Sequence, residues 1–104
     1  FDVIDSAKAV GLDDLKVTGV DMGDESAYMI ADQEMYYGTG CPRACETGTI
    51  EAYACARALI GEPVPTYLCS ASQPVDYDNV LDAFKICFGI DAPDDVKEAW
   101  ESHQ

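Results

Sequence analysis

The chain has 104 residues, 48% of them hydrophobic and 10% aromatic, with 20 acids against 6 bases and a formal net charge of -14. That length suits one domain, residues 1–104, and leaves no room for a second core of ordinary volume. The apolar content excludes a disordered chain despite the charge, and no apolar run approaches the roughly 20 residues needed to span a bilayer.

In chain order, residues Asp2 to Val10 read as a short helix ended by Gly11. Leu15 to Val20 and Ala27 to Tyr37 are rich in Val, Thr, Ile and Tyr and flank the acidic, turn-like Met22-Gly23-Asp24-Glu25, which suggests two strands in a hairpin. A helix is expected from Glu46 to Ile60, with Ile50, Tyr53, Ala54, Ala58 and Ile60 on an apolar side, Thr47 or Thr49 at its start, and Gly61 before Pro63 at its end. Gly61 to Pro74 reads as a loop for which Cys69 is the anchor.

The clearest periodicity follows. Asp76 caps a helix whose Tyr77, Val80, Leu81, Phe84, Cys87 and Phe88 form one stripe, with Val75 stapled onto Val80 and Gly89 as the stop. A last helix opens at Pro93, has Asp94 and Asp95 in its first turn, and turns Val96, Ala99 and Trp100 inward. The expected fold class is therefore α+β: a small disulfide-linked domain with an N-terminal β-hairpin and a helical C-terminal half, the alternative being all-α.

Five cysteines, Cys41, Cys45, Cys55, Cys69 and Cys87, suit an oxidising compartment, and a chain that starts at Phe1 without a leader pattern reads as the mature form of a secreted, extracellular protein. A zinc site would need a second close pair beside Cys41 and Cys45, and a thioredoxin-type site would need two residues between those cysteines instead of three. Two bridges chosen from five cysteines allow about 15 connectivities. Antiparallel packing of the two longer helices favours Cys45 with Cys87, which leaves Cys41 to pin Cys69 and Cys55 as the free thiol, available for a disulfide-linked dimer; Cys55 with Cys69 is the other simple drawing.

The acidic surface and scattered Lys8, Lys16, Arg43, Arg57, Lys85 and Lys97 argue against nucleic acid and anionic membranes as partners. The acid clusters at Asp21, Asp76 and Asp91 do not follow the calcium-loop pattern, so no metal and no cofactor is expected. No catalytic residue is assigned either: the one histidine, His103, lies near the end of the chain, nucleophile and phosphate-loop motifs are missing, and Glu34 with Glu46 is only a chance-level carboxylate pair.

Six tyrosines exceed what the helices can bury, and the adjacent Tyr36 and Tyr37 must point to opposite sides of a strand, which makes that pair the candidate binding site. The expectation is a secreted interaction protein, of effector, toxin or signalling type, that binds another protein. One alternative is a carrier of a small apolar ligand, with a cavity lined by Phe84, Phe88 and Ile50. Another is a small carboxylate-dependent hydrolase.

Overall fold

The apolar stripe of the penultimate helix sets the architecture. In the computed structural model, which describes residues 2–104, Val80–Phe88 forms a helix whose Val80, Ala83, Phe84 and Cys87 are all buried. The chain runs α1 (Asp2–Ala9), β1 (Val17–Val20), α2 (Asp24–Ala31), β2 (Tyr36–Pro42), α3 (Ala44–Leu59), β3 (Ser72–Val75), α4 (Val80–Phe88) and α5 (Asp94–Glu101). It is a small mixed α+β fold with a three-stranded sheet in the order β1-β2-β3.

Of the two strands expected in the N-terminal third, the first is realised as β1, whereas Ala27 to Tyr37 meets β2 only at Tyr36 and Tyr37, and a helix joins the two strands. β1 pairs with β2 in parallel, Val17 against Tyr36 and Val20 against Gly40, with a register shift after Val17. Parallel neighbours need a crossover, and α2 supplies it. Residues 27–31 had the composition of a strand, yet Ala27, Ile30 and Ala31 are all buried, at the spacing of one helical stripe. Asp24 and Glu25 suit the helix start, and Ser26 Oγ accepts the Gly23 N–H at 3.0 Å. The antiparallel partner of β2 is β3, with Thr39 opposite Val75 and Pro42 opposite Ser72.

The helices α2 and α4 pack on the sheet, and α5 packs on α2. Ile30, Val75, Val80, Phe84 and Val96 meet in the resulting core. Gly89, at φ +70°, stops α4 in the left-handed conformation that favours glycine. At the other end α4 begins at Val80, later than its stripe suggests, because Asp76 closes a turn: the Asp78 N–H donates to Asp76 Oδ1 at 3.1 Å. Tyr77 lies in that turn and stacks on Trp100, ring centroids 5.8 Å apart. The pair is locked reciprocally: Trp100 Nε1 donates to the Tyr77 carbonyl at 3.0 Å, and Tyr77 Oη donates to the Trp100 carbonyl at 3.1 Å.

Two close approaches fix the strands. A side chain at Gly38 would put its Cβ 2.7 Å from the Val75 carbonyl oxygen, so only glycine lets β2 and β3 sit this close. Thr39, nearly buried, donates its hydroxyl to the Asp21 carbonyl at 2.6 Å, holding the left-handed residue that ends β1. Thr39→Val keeps the shape but strands that acceptor, and should cost about 1–2 kcal/mol, read as a lower urea midpoint.

α3 departs from expectation. Its sixteen residues include none that is buried, because α2 and α4 already cover the sheet. The apolar side expected to face inward is therefore solvent-facing, with Tyr53 72% and Ile60 72% exposed. Only the start of α3 is moored, Cys45 Sγ lying 3.5 Å from the position a Cβ on Gly89 would take. Beyond that the helix is held locally: the Thr47 hydroxyl donates to the Arg43 carbonyl at 3.0 Å and lies 2.7 Å from the Ser70 hydroxyl on the returning chain. The result is an arm. The molecule measures 58 × 28 × 16 Å with a radius of gyration of 17.4 Å, against about 13 Å for a compact chain of this length.

Candidate functional site

The first candidate site lies at the end of the sheet where β1 and β2 begin and β3 finishes. Leu15 and Lys16 precede β1, Met35 precedes β2, and Asp76 to Asp78 follow β3; together with Lys8 and Glu34 they line an open cleft of about 640 Å³. Tyr36 and Tyr37 are both in it, and they divide as neighbours on a strand should. Tyr36 is half-buried against the core and its hydroxyl covers Gly19, where a methyl group would collide with it. Tyr37 is 58% exposed and carries the Lys16 ammonium 4.2 Å from its ring centroid, a cation–π contact of about 0.5–1 kcal/mol at an exposed site.

The cleft's charge is lopsided. Asp13, Asp14, Glu34, Asp76 and Asp78 face Lys8 and Lys16, and Lys8 is already paired with Glu34 at 3.1 Å. Lysine or arginine from a partner would find carboxylates and tyrosine faces there.

The second candidate surface is the arm. Tyr53, Leu59, Ile60 and Tyr67 are all in solvent, Leu59 at 87% and Tyr67 at 85%. Sequence reasoning placed Ile60 and Tyr53 in a core because the pattern shows which face of a helix is apolar and not what covers it. Only the surplus of tyrosines hinted at the exposed surface.

The residues considered for hydrolysis are not assembled. Glu34 sits before β2 in its ion pair with Lys8, while Glu46 lies beyond the other end of β2, 3.5 Å from Arg43 Nη1. His103 Nε2 is 3.2 Å from Asp32 Oδ1, fastening the C-terminal residues to the end of α2. Among the described residues no three His, Cys, Asp or Glu side chains are grouped to hold a metal ion, and no helix is long and apolar enough to cross a membrane. In the acid loop, Asp21 Oδ1 accepts the Met22 N–H at 2.8 Å.

All five cysteines are thiols, Cys41 and Cys87 buried and Cys45, Cys55 and Cys69 exposed. Cys45 Sγ lies beside Gly89 at the end of α4, while Cys87 Sγ donates to the Cys41 carbonyl at 4.0 Å. Burial first, then the polar and charge interactions with Cys87, and last the charge of Asp21, push the Cys41 thiol up to about 12. A thiol so hard to ionise is no nucleophile at neutral pH.

Phe84 and Phe88 are in mutual contact, with ring centroids 6.1 Å apart, and Phe84 is 2% exposed inside the core. Ile50, the third residue expected around a ligand cavity, is on the arm helix and only half-buried. The fold and its surfaces define a small α+β domain with a projecting helical arm; no family model, curated protein or solved structure matches the chain.

Proposed function

We propose that this chain is a secreted interaction protein, of effector, toxin or signalling type, that acts by binding another protein. The observation carrying this reading is the arm: Tyr53 and Leu59 on α3, Ile60 at its end and Tyr67 on the returning chain all stand in water, and α3 has no buried residue. Exposed apolar surface marks contact sites in soluble proteins, and tyrosine is among the residues enriched there. The cleft at Tyr36 and Tyr37 is a second contact whose excess of carboxylates suits a basic segment of the partner. The five cysteines support the extracellular setting.

The carrier reading needs a cavity between Phe84, Phe88 and Ile50, and the packing of Phe84 leaves those side chains otherwise engaged. Site-specific photo-crosslinking decides between the two. A crosslinking residue at Leu59 should capture one protein repeatedly from extracellular fluid of the source, and that protein, once purified, should bind the Leu59→Asp/Ile60→Asp variant at least about tenfold more weakly, a loss of about 1.4 kcal/mol. The same measurement on Tyr37→Ala reports the contribution of the cleft. Equal binding of the parent and the arm variant, or stoichiometric uptake of a fluorescent fatty acid without any protein partner, would overturn the proposal.

A further inference from the structure

We propose that Cys41 and Cys87 are the two halves of a disulfide that ties β2 to α4 at the base of the arm. Both side chains are fully buried, one on the central strand and one on the central helix. Cys87 Sγ donates to the Cys41 carbonyl oxygen at 4.0 Å, so the side chain of one cysteine sits against the backbone of the other. Other uses of a close thiol pair find no support around them. A metal would need further ligands, and among the described residues no group of three such side chains exists. A redox catalyst needs a sulfur that substrates can reach, and neither is accessible.

The pairing differs from the one that helix packing alone suggested, Cys45 with Cys87 and Cys41 with Cys69. Cys69 is exposed on the returning chain, whereas Cys41 is enclosed with Cys87. The link also has a mechanical meaning: its ends are 46 residues apart, and the chain between them runs through the arm, β3 and most of α4. The strand from which the arm departs is thereby fastened to α4, which lets a contact made on the exposed helix act on a fixed base. The three cysteines left over, Cys45, Cys55 and Cys69, are exposed, so at least one remains for a bond to another chain.

Formation is by exchange with a disulfide donor of the glutathione or protein-oxidoreductase class. One of the two thiolates attacks the donor disulfide, giving a mixed disulfide and one donor thiolate. The second cysteine then attacks the protein sulfur of that mixed disulfide, the new S–S bond forms, and the other donor sulfur leaves. The pair loses two electrons and two protons, and the donor gains both as two thiols. Since both sulfurs are buried in the folded state, the exchange belongs to folding, before β2 and α4 close on one another.

The bond needs the oxidising setting of the proposed function, and the test supplies that setting so that it judges the pairing by itself. Reduced, unfolded chain is refolded in oxidised and reduced glutathione, remaining thiols are blocked, and the protein is cut after Lys and Arg without reduction. Cleavage places Cys41 in residues 17–43, Cys45 and Cys55 in 44–57, Cys69 in 58–85 and Cys87 in 86–97. The expected product is 17–43 joined to 86–97, about two mass units lighter than the sum of the two free peptides. Peptides 17–43 with 58–85 and 44–57 with 86–97, or blocked thiols at both Cys41 and Cys87, would overturn the proposal. A second readout does not depend on variant folding: reductant should lower the melting temperature of the refolded parent chain, and no change on reduction counts against the bond.

Discussion

Phe84→Ala should lower stability by about 3–5 kcal/mol, the largest loss expected from any single truncation in this chain. Phe84 is the largest of the fully buried side chains and belongs to the cluster formed with residues of β2, β3, α2 and α5, so its truncation leaves a cavity inside that core. For a domain whose total stability is of order 5–15 kcal/mol, a loss of that size lowers the melting temperature by more than about 10 °C. Leu59→Ala is the control: Leu59 is as apolar but 87% exposed, and its removal should stay within about 0.5 kcal/mol. Urea titrations followed by the fluorescence of Trp100, which reports on the Tyr77 stack at the edge of the core, give both numbers. Equal shifts for the two variants would mean that the arm is packed against something in the free protein.

The contrast between those two positions also shows how far the sequence carries. The core half was legible because α4 and α5 present their apolar residues at one helical period and α4 ends at Gly89, so Val80, Phe84, Cys87 and Val96 are inside as their spacing requires. Tyr36 and Tyr37 divided between core and solvent for an equally local reason, the alternation of a strand. Three features were not local. Ala27 to Ala31 carries residues acceptable in a strand, and what made it a helix is burial of Ala27, Ile30 and Ala31 together against neighbours distant in sequence, α4 and α5. The exposure of α3 follows from the sheet face being already covered, which no property of α3 itself reveals. The cleft, likewise, collects Lys8, Lys16, Tyr37 and Asp76 from segments that meet only because β1 and β3 flank β2.

Alkaline titration should separate the reduced from the oxidised chain, and its sign follows from Cys41. In the unfolded chain this thiol loses its proton near 9.0; in the reduced fold, burial first, then the polar and charge interactions with Cys87, then the charge of Asp21, hold the proton up to about 12. The folded state therefore binds more protons than the unfolded state between those values. The group's contribution to stability is present in full below pH 9 and is lost as pH rises toward 12, with a slope of up to about 1.4 kcal/mol per pH unit. With Cys45, Cys55 and Cys69 replaced by serine, the urea midpoint of the reduced protein should fall across pH 9 to 10.5 more steeply than that of the glutathione-refolded protein. In the refolded protein Cys41 has no proton to lose. The remaining side chains are common to both forms, so the difference between the two slopes isolates the buried pair. Reduced Cys41→Ala should follow the shallow slope of the oxidised form. Parallel slopes in all three would show that Cys41 is not held protonated in the core.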